Sequence, residues 1–438
     1  MAGTIDIAAV MDERPFSGLQ RRVVALCALV ALIEGFDTQT VGFVAPALSK
    51  AFHLAPDTLG LFFSAGLVGL MLGTLLIAPL ADRVGRKPVI LASVGLFGLC
   101  SLGVANAGSV EILFAFRLLT GLGIGGAMPN LIALTSEYCP SRSRSFTVML
   151  MFSGFTLGAL VAGLTAARLL GPYGWSILFW IGGIAPLLYL PVLALALPES
   201  VRVLALSEGG QAKAAAILKR IAPDLTIPAG ARLAAEGEGP RMSVAELFRH
   251  GRAVRTSLLW LLFFMSLLDV YLLTNWLTTL MHQRGFTAST AALISMVQQF
   301  GGVVATFPVG WLSARRAPTQ VLVGAYLFGG LAVAAIGFTP ADPVVIGAVV
   351  FCAGLGVVGG QGAANALVAG LHPTAVRSTA VGWALGIGRI GSIVGPAIAG
   401  VLIAAKMPTR DLFLFAAIPT LIAAGAAFAI GKIGKAEG

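Results

Sequence analysis

The chain has 438 residues, of which 57% are hydrophobic and 11% are charged; a soluble domain carries roughly 25% charged residues. So little charge cannot cover a water-soluble fold, and the 55 glycines are typical of membrane helices that approach each other closely. The formal net charge of +10 does not indicate a nucleic-acid partner, because the basic residues are scattered through short loops instead of gathered on one soluble face.

Apolar stretches long enough to cross a hydrocarbon core of about 30 Å occur twelve times. In chain order the predicted spans are 21–48, 58–80, 88–107, 110–137, 143–168, 175–197, 254–281, 288–312, 318–339, 342–370, 377–405 and 410–432. The sequence therefore predicts an all-α integral membrane protein with two six-helix bundles, 1–197 and 254–438. A polar linker over 198–253 separates them and is expected to include a surface helix over 211–221.

Lysine and arginine predict the orientation of these spans. With the N-terminus inside, 22 of the 29 basic residues lie on the side of the termini and 5 lie on the opposite side. Because short loops rich in positive charge stay in the cytoplasm, we expect both termini and the linker to be cytoplasmic.

An internal repeat relates the two bundles. The segment that begins Thr120-Gly-Leu-Gly recurs as Ala353-Gly-Leu-Gly, and the same shift of 233 residues superposes Pro140 on Pro373. Two halves with the same orientation imply a pseudo-two-fold axis along the membrane normal, with a solute site expected between them near the midplane.

Ionisable side chains within the spans are costly, so each one is a candidate functional residue. Glu34 and Asp37 are three residues apart in the first span, which places both carboxyl groups on one face of the helix. Two such acids disfavour joint ionisation, as a proton carrier requires. Arg117 could couple them to a cavity, while Gly121 and Gly125 allow close helix approach. The alternative is that one acid stays ionised and pairs with Arg117 only to join helices.

The second half has two further charged candidates. Arg389 lies in the eleventh span between Gly386 and Gly391, with no acid in its own span. A planar guanidinium in this setting suits bidentate capture of a carboxylate. Its alternatives are to snorkel toward the interface or to bind backbone carbonyls. Asp269 in the seventh span could be a second titratable site or a gating residue.

Five uncharged side chains complete the candidate binding set. Gln361 and Asn365 are one turn apart in the tenth span and could hydrogen-bond a ring substituent, or could simply join helices. Phe36, Trp276 and Trp383 could stack on an aromatic ring, although most aromatic residues in such a chain contact lipid or the core.

A charged turn follows the second span and favours a conformational switch. It contains Asp82, Arg83 and Arg86, so an acid lies beside one base and one turn from another. Surface charge alone does not account for this arrangement. A switchable salt bridge to Glu137 and Arg144, at the same end of the next helix pair, is the more specific interpretation.

Together these motifs resemble the major facilitator superfamily along essentially the whole chain. They are Asp82-Arg83-x-Gly85-Arg86-Lys87 after the second span, the Arg117 motif in the fourth, and Leu197-Pro198-Glu199-Ser200 after the sixth. Within that superfamily, Glu34-Gly-Phe-Asp37 is similar to the Asp-Gly-Phe-Asp signature of the aromatic acid:proton symporters. Glutamate replaces the first aspartate, which keeps the charge and lengthens the side chain.

The resemblance implies alternating-access import of a benzoate-like or hydroxybenzoate-like acid with protons, for the breakdown of aromatic compounds. Glu34, Asp37 and Arg117 would carry proton coupling, and Arg389 would bind the carboxylate. Asp37 and Arg117 would also belong to the substrate site. The expected protein is a monomer in the bacterial inner membrane, with no cofactor beyond the proton gradient. Import of another organic anion and drug:proton antiport remain open. An enzyme is not indicated, because no catalytic triad, metal-ligand spacing or phosphate-binding loop occurs.

Overall fold

A computed structural model of the chain describes residues 4–207, 209–225, 227–228, 232–234, 244–249, 251–313, 315–371 and 374–436. Within these residues, twelve helices are long and apolar enough to cross a membrane, which confirms the predicted fold class. They are α2 (Gly18–Phe52), α3 (Pro56–Leu76), α5 (Arg86–Ala105), α6 (Val110–Glu137), α7 (Arg144–Tyr173), α8 (Ser176–Ala196), α11 (Ala253–Gln283), α12 (Ala288–Ser313), α13 (Pro318–Ile336), α14 (Pro343–Leu371), α15 (Thr374–Ala404) and α16 (Thr409–Ala436).

The remaining elements are short. They are strand β1 (Thr4–Asp6), helix α1 (Ile7–Asp12), helix α4 (Ala81–Val84), helix α9 (Val201–Leu206), helix α10 (Gln211–Ile221) and strand β2 (Arg232–Ala234), with single turns of 3-10 helix at Ala78–Leu80 and Val244–Leu247.

Local sequence signals set several helix ends. Helix α6 begins after Ser109, whose hydroxyl accepts a hydrogen bond from the Ile112 N–H at 3.4 Å. This satisfies one of the amides that a first turn leaves unpaired. Helix α13 begins at Pro318, where the missing N–H costs nothing and the fixed φ suits a first turn.

By Cα proximity the residues fall into two compact units. Unit 1 comprises Met1–Thr38, Val68–Ala159 and Phe179–Glu238, and unit 2 comprises Gln39–Leu67, Leu160–Leu178 and Gly239–Gly438. Helices α2, α3, α7 and α8 are each divided between the two. The division into sequence halves at 1–197 and 254–438 stays a prediction.

Glycine sets the spacing of α3 and α6 inside unit 1. A Cβ on Gly125 would overlap the backbone of Leu70, and the Thr74 hydroxyl donates to the Gly125 carbonyl at 3.2 Å. The predicted role of Gly125 in close helix approach is therefore confirmed. Such contact between backbones is how membrane helices gain van der Waals packing, since lipid offers no hydrophobic advantage.

Replacing Gly125 by alanine is expected to lower the thermal stability of the detergent-purified protein. The added methyl group must push α3 and α6 apart, and overpacking of this kind costs about 1–3 kcal/mol. Gly171 near the end of α7 is the matched control, because no atom lies within 4 Å of its Cβ position. Gly171→Ala should leave the unfolding temperature unchanged or slightly raised. Equal effects of the two substitutions would contradict this account of α6.

The N-terminal segment forms a small module with the central segment in unit 1. Strand β1 pairs in parallel with β2, with Thr4 opposite Arg232 and Asp6 opposite Ala234. Arg14 forms an exposed salt bridge to Asp224 at 2.8 Å. The apolar side chains of α1, α9, α10 and β2 join one core with α2, so the start and the middle of the chain are packed together.

In unit 2, parts of α2 and α3 pack directly on second-half helices. The Ser64 hydroxyl of α3 donates to the Ile393 carbonyl of α15 at 2.7 Å. A Cβ on Gly42 would lie 2.5 Å from the Thr274 carbonyl oxygen of α11. Helices from the two predicted halves are therefore in backbone contact at these positions.

Candidate functional site

Unit 1 contains a buried group of charges on α2 and α6. Asp37 is 1% exposed, and its Oδ2 accepts a charge-assisted hydrogen bond from Nη1 of Arg117 at 2.7 Å. Its Oδ1 accepts from the Ser101 hydroxyl of α5 at 2.9 Å. Both oxygens of this carboxylate therefore have donors, and the arginine balances its charge.

Glu34 lies one turn before Asp37 and has a different environment. The side chain is 0% exposed, and neither carboxyl oxygen has a hydrogen-bond partner among the described residues. The Nε of Arg117 is likewise buried without a partner. A carboxylate here would be a buried charge without a hydrogen-bond donor among the described residues, which costs far more than the neutral acid does.

The helix backbone places these side chains at the packing surface of unit 1. Gly35 in α2 sits against the backbone of Phe155 in α7, where any Cβ would overlap it. Phe36 is 5% exposed, and its ring lies 3.7 Å from the Cβ position of Gly182 in α8. The sequence prediction that Glu34 and Asp37 share a buried region with Arg117 agrees with this geometry, while their roles stay predictions.

Unit 2 holds the other predicted arginine. Arg389 of α15 is partly buried, and its Nη1 donates to the Tyr271 hydroxyl of α11 at 3.1 Å. No ion pair to Arg389 occurs within the described part of the chain. Tyrosine is a neutral partner, so the arginine charge is available to an anion.

A chain of uncharged hydrogen bonds includes Gln361. Its Oε1 accepts from the Ser266 hydroxyl at 2.6 Å, and its Nε2 donates to Asn365 at 3.3 Å. The Tyr326 hydroxyl donates to Ser266 at 2.7 Å. Gln361 therefore joins α11 and α14, while Asn365 is exposed. Both alternatives for this pair, helix contact and ligand contact, fit the geometry.

Asp269 of α11 is buried in unit 2 beside α16. It is 0% exposed, its Oδ2 accepts a short hydrogen bond from the Thr420 hydroxyl, and its Oδ1 has no partner among the described residues. No arginine or lysine is paired with it there. The geometry suits a titratable group as well as a helix contact, and its role stays a prediction.

The two tryptophans of the candidate set both have protein partners. Trp276 is 1% exposed, donates from Nε1 to the Pro396 carbonyl at 2.9 Å, and meets Phe63 edge to face at 5.3 Å. Trp383 is 43% exposed and stacks on Trp260 at 5.6 Å between ring centroids. Trp383 thus keeps an accessible face, whereas Trp276 has none.

The charged turn after α3 forms a salt bridge to α6. Nε of Arg86 binds Oε1 of Glu137 at 2.8 Å, and Nη2 approaches Asp82 at 3.7 Å. This joins three of the predicted gating residues. Arg83 and Arg144 are exposed, and Arg144 donates a hydrogen bond to the Ser141 hydroxyl at 3.5 Å.

Sequence reasoning did not assign a role to Glu199, which lies at the centre of this network. Its Oε1 accepts from the backbone N–H groups of Arg86 at 2.8 Å and Lys87 at 3.2 Å. The residue before α5, Gly85, has φ of 104° and no side chain with which to cap. Glu199 therefore caps α5 from a distant part of the chain, with its negative charge at the positive end of the helix.

Glu199→Ala is expected to lower the free energy of unfolding by about 0.5–2 kcal/mol, the usual cost of a lost helix cap. Thermal unfolding in detergent measures this change. Glu199→Gln keeps an acceptor oxygen and should show an intermediate loss. Glu13→Ala removes an exposed acid and serves as the control. A Glu199→Ala protein as stable as the control would show that this cap has little energetic weight.

The family model described as Major Facilitator Superfamily matches residues 27–384 and 259–435. The chain therefore belongs to this superfamily of membrane transporters, as its motifs predicted, and it is not an enzyme. Its fold is similar to that of a bacterial homologue of the human lysosomal transporter Spinster, with a TM-score of 0.75, 19% identity, and coverage of 96% of this chain and 97% of that one.

Its relatives within the superfamily include transporters named for aromatic acids. The 4-hydroxybenzoate transporter PcaK of Pseudomonas putida is 42% identical over 90% of this chain and 88% of that protein. The gallate transporter of Pseudomonas putida is 38% identical over 98% and 95%, respectively. The benzoate transport protein of Acinetobacter baylyi is 32% identical over 96% and 92%. These matches confirm the resemblance that Glu34-Gly-Phe-Asp37 predicted.

Proposed function

We propose that the chain imports a small aromatic carboxylate of the benzoate or hydroxybenzoate type in symport with protons. The observation that carries this proposal is the buried group of Glu34, Asp37 and Arg117, in which one guanidinium compensates one of two neighbouring acids. The relatives named for 4-hydroxybenzoate, gallate and benzoate support the substrate class.

Proton coupling follows from the charge balance in unit 1. Arg117 carries one positive charge, and Asp37 uses it at 2.7 Å. Among the described residues, Glu34 then has no paired cation and no hydrogen-bond donor, so it carries a proton in this arrangement. Release of that proton leaves a second negative charge that the buried region cannot stabilise. Deprotonation therefore requires a conformation in which Glu34 gains water or a new partner, which links the proton to the transport cycle.

Carboxylate recognition is assigned to Arg389. Its guanidinium is partly buried and donates to the neutral Tyr271 hydroxyl, so a bound carboxylate would supply the missing anion. Gln361 and Asn365 offer amide groups for a ring hydroxyl, and the exposed face of Trp383 offers a stacking surface. The substrate carboxylate would pair with the Arg389 guanidinium, and the proton neutralises Glu34. Binding of each therefore favours the same conformational transition.

The proposal includes a monomer in the bacterial inner membrane with cytoplasmic termini. The excess of lysine and arginine on the side of the termini supports this orientation. A green fluorescent protein fused to the C-terminus should fluoresce in whole cells, and alkaline phosphatase fused there should be inactive. The opposite pair of results would reverse the topology.

Uptake of radiolabelled 4-hydroxybenzoate by proteoliposomes tests the function. An imposed inward proton gradient should drive accumulation above equilibrium, and a protonophore should abolish it. Liposomes without protein provide the background. Uptake that is indifferent to the gradient would contradict symport, and uptake of a dicarboxylate in preference to the aromatic acid would contradict the substrate class.

A further inference from the structure

A groove of about 750 Å³ lies in unit 1 between α2 and α7. Along α2 it extends from Arg21 to Leu32, which is about 16 Å at the helical rise per residue. This length is about half of the roughly 30 Å hydrocarbon core, the depth that one leaflet occupies. Gly158 closes its inner end by packing on the Leu32 backbone.

Apolar and polar groups are segregated along the groove. Its walls include Leu29, Phe146, Leu150 and Leu157, which are 41%, 68%, 53% and 50% exposed. The Ser153 hydroxyl lies far from the end of the groove that Arg21 and Arg142 line, and it donates to a backbone carbonyl of its own helix at 2.6 Å. The Ser153 hydroxyl therefore has no free donor with which to bind a carboxylate at depth.

Positive charge is concentrated at one end of the groove, its mouth. Arg21 and Arg142 line this mouth, and neither forms an ion pair within the described residues. Arg142 donates one hydrogen bond, to the Arg14 carbonyl at 3.1 Å. The nearby acid is Asp12, whose carboxylate accepts from the Ser141 N–H at 2.5 Å. That hydrogen bond, with nearby arginines, lowers the pKa of Asp12, so it stays engaged and ionised.

The first turn of α7 adds to this positive end. The helix begins at Arg144, and the initial N–H groups of a helix have no intrahelical acceptor and carry the positive end of its dipole. The mouth therefore combines two guanidinium groups with a helix N-terminus, above a largely apolar path.

We propose that this groove binds one anionic phospholipid, with its phosphate between Arg21 and Arg142 and one acyl chain along the apolar wall. A small aromatic acid fits less well, because it is much shorter than the groove and the Ser153 hydroxyl beyond the mouth has no free donor for its carboxylate. The lipid would lie along the groove over the α2–α7 packing surface, where Gly154 contacts the Ala28 backbone and Gly158 the Leu32 backbone. This inference does not depend on which solute is transported.

Native mass spectrometry of the full-length protein with added phosphatidylglycerol tests the site. One phosphatidylglycerol should remain bound at activation energies that remove phosphatidylcholine of the same chain length. Arg21→Gln and Arg142→Gln should each weaken this binding about fivefold, since one basic residue near an anionic surface contributes about 1 kcal/mol. Arg22→Gln, an exposed neighbour outside the groove, is the matched control.

A second variant tests the acyl path without altering charge. Ala25 lines the groove and is exposed, so Ala25→Phe should fill it and reduce phosphatidylglycerol binding while the protein keeps its unfolding temperature. Four results would overturn the proposal. Two of them concern binding itself: retention of phosphatidylcholine equal to that of phosphatidylglycerol, and a loss of binding in Arg22→Gln as large as in Arg21→Gln. The third is competition by soluble glycerol phosphate as strong as that by phosphatidylglycerol. The fourth is displacement of the lipid by 4-hydroxybenzoate, which would assign the groove to the substrate.

Discussion

Asp37→Asn is expected to abolish proton-driven accumulation of 4-hydroxybenzoate in proteoliposomes. The amide cannot carry a negative charge, so Arg117 loses the partner that it binds at 2.7 Å. Removing one member of a buried ion pair leaves an uncompensated charge and costs about 3–5 kcal/mol. Glu34 is then the nearest acid for Arg117, and it would be held ionised and unable to exchange its proton during the cycle.

The double variant Asp37→Asn with Arg117→Gln separates coupling from stability. It removes both charges, so the thermal stability lost in the single variant should largely return. Accumulation should stay absent, because no charge balance remains to link a proton to the conformational change. Substrate binding at equilibrium is the parallel measurement. Recovery of gradient-driven uptake in the double variant would refute the role assigned to this pair.

Arg389→Ala is expected to weaken binding of 4-hydroxybenzoate by about 10- to 100-fold, the effect of losing a charge-assisted hydrogen bond of about 1.5–3 kcal/mol. Calorimetric titration of the purified protein measures the dissociation constant. Arg389→Lys keeps the charge but cannot bind a carboxylate through two parallel donors. Its affinity for 4-hydroxybenzoate should therefore lie between those of the unaltered protein and the Arg389→Ala variant. Arg410→Ala, an exposed arginine stacked on Phe338, is the control.

The neutral analogue 4-hydroxybenzamide tests whether Arg389 recognises the carboxylate. If Arg389 recognises the carboxylate, the alanine variant should bind the amide and the acid with similar, weak affinity, whereas the unaltered protein should prefer the acid. A variant that still prefers the acid would place the carboxylate elsewhere. Tyr271→Phe should have a smaller effect, since it removes only the 3.1 Å bond that orients the guanidinium.

The spans were the most predictable feature, because length and hydropathy alone specify a helix that must satisfy its backbone in lipid. The predicted surface helix over 211–221 coincides with α10, Gln211–Ile221. The predicted second span, 58–80, differs at its end. Helix α3 ends at Leu76, and Pro79 lies in a separate turn of 3-10 helix, where a missing N–H ends regular α-helical hydrogen bonding.

The charged members of the candidate site were visible in the sequence, whereas their partners were not. Glu34, Asp37, Arg117 and Arg389 stand out because charge is rare in apolar spans. Ser101 and Tyr271 do not, since hydroxyl groups are common and their function depends on the rotation of one helix about its axis relative to the next. Thr420 beside Asp269 is a similar case.

Glu199 differs from these partners because a signal for it was present. It belongs to the superfamily motif Leu197-Pro198-Glu199-Ser200. Its hydrogen bonds to the start of α5 could not be predicted, because they depend on how a segment 112 residues earlier packs against it.

The pairing of β1 with β2 has a consequence for biosynthesis. Thr4 is translated 228 residues before its partner Arg232, a delay of roughly 10–45 s at typical rates of 5–20 residues per second. The sheet can therefore close only after six spans have left the ribosome. Its closure marks the completion of the first six helices before most of the others exist, and it protects the exposed edge of β1 from pairing with a neighbouring nascent chain.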